Sequence, residues 1–275
     1  MSTTPRWKSG GTDARSRRRE RGQWRLRPRT LWRLSRAALS GLMLDNTTRF
    51  VAPQVLQLPV PGSSVFLLLD RRVTIVDAGP VGSAGRVLRA LRLLGRAADE
   101  VEQIVITHYH PDHVGGLAGL QRHLPARTGV HAVEAPVVRG EEPPPLPIDH
   151  PLLRHPARLL GRRLLPPARV DTLLRDGDEL PVLGGLRVVH LPGHTPGHIA
   201  LYLPERGLLI AGDALQVRQG RLIPPARLAS EDWEEAVRSL RRLTGLDFAV
   251  LALSHFPPWQ GDARAELERL TTRLP

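Results

Sequence analysis

Short apolar segments separated by turn residues are the first pattern along the chain. Residues 55–58, 64–69 and 72–76 are rich in Val, Leu and Ile, with a Pro-Gly pair and an Asp-Arg pair between them. Short apolar or β-branched runs bounded by turn residues are typical of β-strands. The pattern therefore predicts that the folded part of the chain begins with a β-meander.

Helical and strand patterns alternate along the rest of the chain. After Ser83, at the position of an N-cap, apolar residues recur with helical spacing up to Gly95. Ser230 is likewise predicted to cap a helix, because acidic residues follow it in the first turn. Further strands are predicted at 102–107, 129–133, 186–191, 199–203, 208–211 and 248–253, and further helices at 112–124 and 262–274. Two β-rich blocks, each followed by helices, predict an α+β domain of two packed sheets with outer helices.

Two segments differ from this pattern. Residues 1–42 hold 12 of the 39 basic residues, two acids and no apolar period, which predicts a basic, disordered tail before a domain at 43–275. Met43 begins the first globular stretch, so a start codon at that position is the competing interpretation. Residues 140–167, rich in Pro, Arg and Leu, form a predicted insertion. Its arginines at 154, 158 and 162 would share one helical face, either over the active cleft or in solvent.

Composition excludes several classes of protein. The chain has 275 residues and no cysteine, so disulfides, catalytic thiolates and Cys-ligated zinc are excluded. No run of 18 apolar residues occurs, so no membrane-spanning helix is expected. The formal net charge of +12 resides mostly in residues 1–42, and no nucleic-acid partner is expected for the near-neutral body. Lys8 is the only lysine, which favours a GC-rich prokaryotic genome, and the absence of a secretory cleavage pattern predicts a cytoplasmic protein.

Potential metal ligands are most concentrated at residues 107–113, directly after a predicted strand, where the sequence is Thr-His-Tyr-His-Pro-Asp-His. Imidazole and carboxylate groups suit Zn²⁺, Fe²⁺ or Mn²⁺. His108 and His110 alternate by two and so share one side of an extended segment. Asp112 and His113 open the next helix, and two pairs of ligands indicate a site for two metal ions. Tyr109, between the first two histidines, either contacts substrate or packs away from it.

Three further candidate ligands each follow a predicted strand: His194, Asp213 and His255. His194 begins a His-Thr-Pro-Gly-His segment that ends at His198, which we interpret as structural. A single histidine at a strand end is commonly a hydrogen-bonded structural group. Together with the cluster at 107–113, however, the three residues complete the donor set of an open metal site.

The identity and order of these residues resemble the metallo-β-lactamase-fold hydrolase superfamily over roughly residues 50–260. The resemblance implies an αββα sandwich with a dinuclear metal site in the cleft between the sheet edges. By the same resemblance, Asp77 would orient a ligand imidazole. The implied ligands are His108, His110 and His194 for the first ion, Asp112, His113 and His255 for the second, and Asp213 for both.

The resemblance also implies a chemistry. Two divalent ions, zinc first and iron or manganese as alternatives, would share a bridging hydroxide that attacks the carbonyl of a small ester, thioester or lactone. One ion would take up the negative charge that develops on the carbonyl oxygen. Asp112 is the predicted catalytic residue, since its carboxylate would accept or pass on a proton. The expected partner is a small acyl substrate.

Within the superfamily, the glyoxalase II-like and lactonase-like branches resemble the chain in their ligand set. Thr-His-x-His-x-Asp-His-x-Gly-Gly matches residues 107–116, and lactonases share Gly-His-Thr-Pro-Gly-His at 193–198. Glyoxalase II-like proteins normally add a C-terminal glutathione-binding domain, whereas only residues 256–275 follow His255 here. Two alternatives stay open: a phosphodiesterase or nuclease of the same fold, and a mononuclear-iron persulfide dioxygenase. The oligomeric state is not predicted.

Overall fold

Two mixed β-sheets organise the residues that the computed structural model describes, which are 48–144 and 161–274. The first sheet has seven strands, β1 to β7, in sequence order. Its first four strands pair antiparallel, as the meander pattern predicts, and β4 to β7 pair parallel. The strands are Arg49–Ala52, Val55–Val60, Ser63–Leu69, Val73–Val76, Val101–Ile106, Arg127–His131 and Thr172–Leu174.

The second sheet has five strands in the order β14-β11-β10-β9-β8. Its pairings are antiparallel except for the parallel pair of β11 and β14. The strands are β8 (Glu179–Leu180), β9 (Leu186–His190), β10 (Ile199–Leu203), β11 (Leu208–Ile210) and β14 (Val250–Ala252). A separate two-stranded hairpin comprises β12 (Gln216–Arg218) and β13 (Arg221–Ile223).

Helices cover the outer face of each sheet. The helices are α1 (Ala84–Leu93), α2 (Pro111–Val114), α3 (Leu117–Gln121), α4 (Ala135–Arg139), α5 (Trp233–Ser239) and α6 (Ala263–Thr272). Buried residues of α1, α3 and α4 belong to the apolar cluster of the first sheet, and residues of α6 to that of the second.

Strand alternation separates three apolar layers. On β3, Phe66 and Leu68 belong to the cluster between the two sheets, whereas Val65 and Leu67 belong to the cluster under the helices of the first sheet. This follows from the two-residue period of a strand, because a strand covered on both faces is apolar throughout. The order of layers is therefore helix, sheet, sheet, helix, and the predicted αββα sandwich is confirmed.

Three local predictions differ from the structure. The predicted helix at 112–124 is two short helices, α2 and α3, because the Gly116 N–H donates to the Gly79 carbonyl across the break. Ser83 occupies the N-cap position of α1, as predicted, but its side chain makes no cap hydrogen bond. Ser230 does not cap α5; the N-cap is Asp232, whose carboxylate accepts from the Glu235 N–H.

Some predictions fall outside the described residues. The basic tail at 1–42 and the alternative start at Met43 stay predictions, as does the part of the insertion between 145 and 160. Residues 161–164, at the end of the insertion, are helical. Among the described helices, none has the length and apolar character needed to cross a membrane.

Phe66, fully buried between the sheets, tests this layer order. Phe66→Ala is expected to lower the free energy of unfolding by about 3–5 kcal/mol, because truncating a buried aromatic side chain leaves a cavity. Urea denaturation followed by tryptophan fluorescence measures the loss. Phe50→Ala is the control, since Phe50 is 40% exposed on β1 and should cost much less. Equal losses would contradict the placement of Phe66 between the sheets.

Candidate metal centre

The segment after β5 places four polar side chains at one edge of the first sheet. His108 and His110 lie on the backbone between β5 and α2, and Asp112 and His113 lie within α2. Pro111 is the first residue of α2, which keeps His110 in an extended conformation. As a result, His108 Nε2 lies 3.1 Å from His110 Nδ1.

The second sheet supplies the remaining candidates from its own strand ends. His194 lies in the loop between β9 and β10, Asp213 follows β11, and His255 follows β14. The structure brings all seven predicted ligands together in three overlapping groups, each with donor atoms within 4.8 Å of one another. The groups are His108, His110 and His194; His108, His113 and Asp213; and Asp112, His113 and His255.

Asp213 stands between the groups. One carboxylate oxygen lies 3.2 Å from His113 Nε2. The other lies 2.9 Å from His255 Nε2 and 3.5 Å from His194 Nε2. A single buried carboxylate therefore faces an imidazole from each of three separate chain segments.

The pKa values of the buried histidines are shifted in two opposite directions. Burial, with the adjacent imidazoles of His113 and His110, holds the pKa of His108 well below its usual range. Burial, with the imidazole of His194, likewise lowers the pKa of His110 to about 3. Burial also acts to lower the pKa of His113, but the carboxylates of Asp213 and Asp77 outweigh it and raise that pKa well above the usual value.

This donor set fits divalent metal ions. His108 and His110 are held neutral, which is the form of imidazole that binds a metal. Their ring nitrogens converge with His194 Nε2, a buried atom without a hydrogen-bond partner among the described residues. Nitrogen and carboxylate donors without thiolate suit Zn²⁺, Fe²⁺ and Mn²⁺.

Asp77 holds one side of the site from the end of β4. Its carboxylate accepts from His113 Nδ1 at 2.8 Å and from the Thr107 N–H at 2.8 Å. The first contact leaves His113 Nε2 directed at Asp213. Asp77, whose side chain is fully buried, thus fixes the orientation of the His113 imidazole, the arrangement that the family resemblance implies.

Ser230 and His198 hold ligand candidates on the second sheet. The Ser230 hydroxyl donates to the Ala226 carbonyl at 2.9 Å and accepts from His194 Nδ1 at 3.2 Å, which leaves His194 Nε2 free for a metal. His198 Nε2 accepts from the Asp213 N–H at 3.0 Å. This contact favours the structural interpretation of His198, whereas the sequence context of Ser230 does not reveal its contact with His194.

Two side chains of the first sheet, Gln57 on β2 and Ser63 on β3, hold the segments around His255 and Asp112. The Ser63 hydroxyl donates to the Asp112 carbonyl. Gln57 Nε2 donates to the carbonyls of Leu253 and Phe256, on either side of His255, at 2.9 and 3.0 Å. The segment of the second sheet that carries the candidate ligand His255 is thus tied to β2 of the first sheet.

Tyr109 packs into the interior. It is 5% exposed and belongs to the apolar cluster beneath the helices of the first sheet. Its hydroxyl donates to Glu231, and its N–H donates to Glu134 at 2.7 Å. Of the two interpretations left open by the sequence, these contacts favour packing over substrate contact.

Glu134 is a buried residue of this site that the sequence patterns did not reveal. Burial raises its pKa to about 7, although hydrogen bonds from Thr195 and Gly197 oppose that shift. The available signal was its place shortly after β6, a strand end like those that carry the predicted ligands. Of the histidines outside the motifs, His131 and His190 stack with ring centroids 4.0 Å apart, and His190 Nε2 lies 2.9 Å from the Pro196 carbonyl. His150 and His155 fall outside the described residues.

Comparisons with known proteins agree with this geometry. The family profile described as "Metallo-beta-lactamase superfamily" matches residues 58–255. The chain is 31% identical over 217 residues to the "Probable metallo-hydrolase YflN" of Bacillus subtilis (strain 168), covering 73% of this chain and 81% of that protein. It is 34% identical over 192 residues to the "Hydroxyacylglutathione hydrolase" of Aeromonas hydrophila, covering 68% of this chain and 58% of that protein.

A solved structure gives the same assignment. A metallo-beta-lactamase family protein from Thermus thermophilus superimposes with a TM-score of 0.62 at 29% identity, covering 81% of this chain and 80% of that one. The chain belongs to the metallo-β-lactamase superfamily. Within it, the chain is a metal-dependent hydrolase with glyoxalase II-like relatives.

Asp213 tests how the site is assembled. Asp213→Ala is expected to weaken metal binding by more than about 100-fold, beyond the about 10–100-fold typical of residues that only support a ligand, because Asp213 faces both sets of imidazoles. Metal content after gel filtration and titration against a chelator measure the loss. Asp247→Ala is the control, since the Asp247 side chain is 91% exposed and pairs with Arg264, away from the donor groups. Metal binding that matches the wild type would contradict the central position of Asp213.

Proposed function

We propose that the chain is a hydrolase with two divalent metal ions that cleaves a small ester, thioester or lactone. The observation that carries the proposal is the convergence of seven side chains into overlapping donor groups around Asp213. Such a number of donors exceeds what one tetrahedral ion requires. Zinc is the ion that the nitrogen-rich donor set favours, with iron or manganese as alternatives.

Two of the three donor groups share no residue, and each would hold one ion. His108, His110 and His194 would hold the first ion, and Asp112, His113 and His255 the second, with Asp213 available to both. When bound, the pair of ions supplies Lewis acidity to a carbonyl oxygen and to a water molecule. Ser230 and Asp77 keep the imidazoles of His194 and His113 in the rotamers that direct Nε2 inward.

Asp112 is the proposed proton acceptor. Its side chain is 34% exposed, more than those of Asp213 and Asp77, so it faces the open side of the site. One of its oxygens lies 3.5 Å from both His113 Nε2 and His255 Nε2. A carboxylate that touches ligands on one side and solvent on the other is placed to remove a proton from the centre.

The relatives support an acyl substrate. The hydroxyacylglutathione hydrolases are named for hydrolysis of an acylated glutathione, and the chain matches 58% of the length of the Aeromonas hydrophila protein. We therefore propose hydrolysis of an acyl bond for this chain and do not extend the recognition of glutathione to it. The near-neutral balance of charge after residue 42 favours a small substrate over a nucleic acid.

Metal loading and a substrate panel test this proposal together. The protein reconstituted with zinc is expected to hold close to two ions per chain and to hydrolyse thioesters or lactones, because both donor groups are complete. Mass spectrometry of metals and spectrophotometric assays measure the two outcomes. The panel includes a phosphodiester and a short nucleic acid, with Asp213→Ala as the inactive control.

Two results would contradict the proposal. A stoichiometry of one iron ion with persulfide oxidation would favour the mononuclear dioxygenase. Phosphodiester cleavage without acyl hydrolysis would favour the nuclease alternative.

A further inference from the structure

Glu134 is a buried carboxylate that belongs to none of the three donor groups. It lies between β6 and α4 and is 1% exposed. Burying a carboxylate is costly unless hydrogen bonds compensate for the lost water. The contacts that compensate Glu134 therefore indicate what it does.

Each oxygen of Glu134 accepts from a different ligand-bearing segment. Oε2 accepts from the Tyr109 N–H at 2.7 Å, and Tyr109 lies between His108 and His110. Oε1 accepts from the Thr195 hydroxyl at 2.7 Å and from the Gly197 N–H at 2.8 Å. Thr195 directly follows His194, so one side chain spans the two segments that carry the first donor group.

Close packing leaves little space around this bridge. A Cβ added to Gly197 would stand 2.6 Å from Glu134 Cγ, so the loop after His194 approaches Glu134 as only glycine allows. Tyr109 is tied to the same loop a second time, because its hydroxyl donates to Glu231, whose N–H donates to the His194 carbonyl at 3.1 Å. The backbone and the side chain of Tyr109 thus both lead to the His194 segment.

We propose that Glu134 is a positioning residue that fixes the spacing between the histidine pair at 108 and 110 and His194. The inference rests on the proposed function, because it assigns these three histidines to one ion. The other donor group has supports that do not involve Glu134: Ser63 for Asp112, Gln57 for the segment around His255, and Asp77 for His113, although Asp77 also accepts from Thr107, next to His108. Loss of Glu134 therefore weakens one ion and leaves the other in place.

Glu134→Gln tests the inference with little change in shape. The amide presents an NH₂ group toward one of the three donors, which leaves at least one buried N–H or O–H unpaired. We expect about 10–100-fold weaker binding of one zinc ion and unchanged binding of the other. Competition with a chromogenic chelator resolves the two affinities, and the visible spectrum of the Co²⁺ form reports the altered ligand field.

A double variant assigns the ion that is lost. Gln57→Met, which removes the hydrogen bonds to the carbonyls of Leu253 and Phe256, is expected to weaken the ion held by His255, so Glu134→Gln combined with Gln57→Met should lose tight binding of both. If the double variant retained one tight ion, the two residues would serve the same ion and the inference would be wrong. Thr195→Val, which removes one donor to Glu134, should reproduce part of the effect, and Thr195→Ser should restore wild-type binding. The two Thr195 variants therefore test the inference even if Glu134→Gln does not fold.

Gln121→Ala separates positioning from general stability. Gln121 makes three hydrogen bonds that join α3 to Thr128 and Arg169, outside the donor groups. The Gln121→Ala variant should have a lower midpoint of thermal unfolding and unchanged affinities for both zinc ions. Wild-type protein that binds fewer than two ions would count against the proposed function. Wild-type protein with two ions and equal affinities in Glu134→Gln would overturn the role of Glu134 alone.

Discussion

The carboxylate of Asp213 is the interaction on which the rest of the site depends. It is buried beside imidazoles from three segments, and burial alone would raise its pKa. The neighbouring imidazole of His113, together with those of His194 and His255, instead holds that pKa well below its usual range. A charge in such a place is stable only when its partners cannot move away, because removing one partner leaves an uncompensated buried charge. The fold must therefore keep the histidines in position.

Backbone anchoring at strand ends meets this requirement. Every ligand candidate follows a strand directly or lies in a loop between strands or a short helix, and a polar side chain from another segment holds it or its neighbour. Asp77, Ser230 and Gln57 do this for His113, His194 and the segment around His255. The first donor group also requires a fixed distance between the segment at 108–110 and the loop that carries His194. Glu134 accepts hydrogen bonds from both segments. The supports are as much a part of the site as the ligands.

The sequence predicts the candidate ligands more completely than the residues that hold them, because those residues lie far from the ligands along the chain. Four candidates lie within residues 108–113, and the others follow apolar strands whose ends the pattern of residues reveals. Glu134 meets Thr195 across 61 positions, and Ser230 meets His194 across 36. No local pattern reports such contacts. The acidic residues after Ser230 predict that it caps α5, but Asp232 accepts from the Glu235 N–H instead, and the Ser230 hydroxyl contacts His194.

The site also couples metal binding to the docking of the sheets. Each proposed donor group draws residues from both sheets, so neither group exists until the apolar layer around Phe66 has formed. An ion that binds only this docked state stabilises it in proportion to the logarithm of its free concentration over its dissociation constant. Bringing imidazoles and carboxylates together in a buried place is costly in itself, because each loses water before an ion can compensate it. The apolar layers must offset that cost, which explains why β4 and β11, the strands that lead to Asp77 and Asp213, are buried along their whole length.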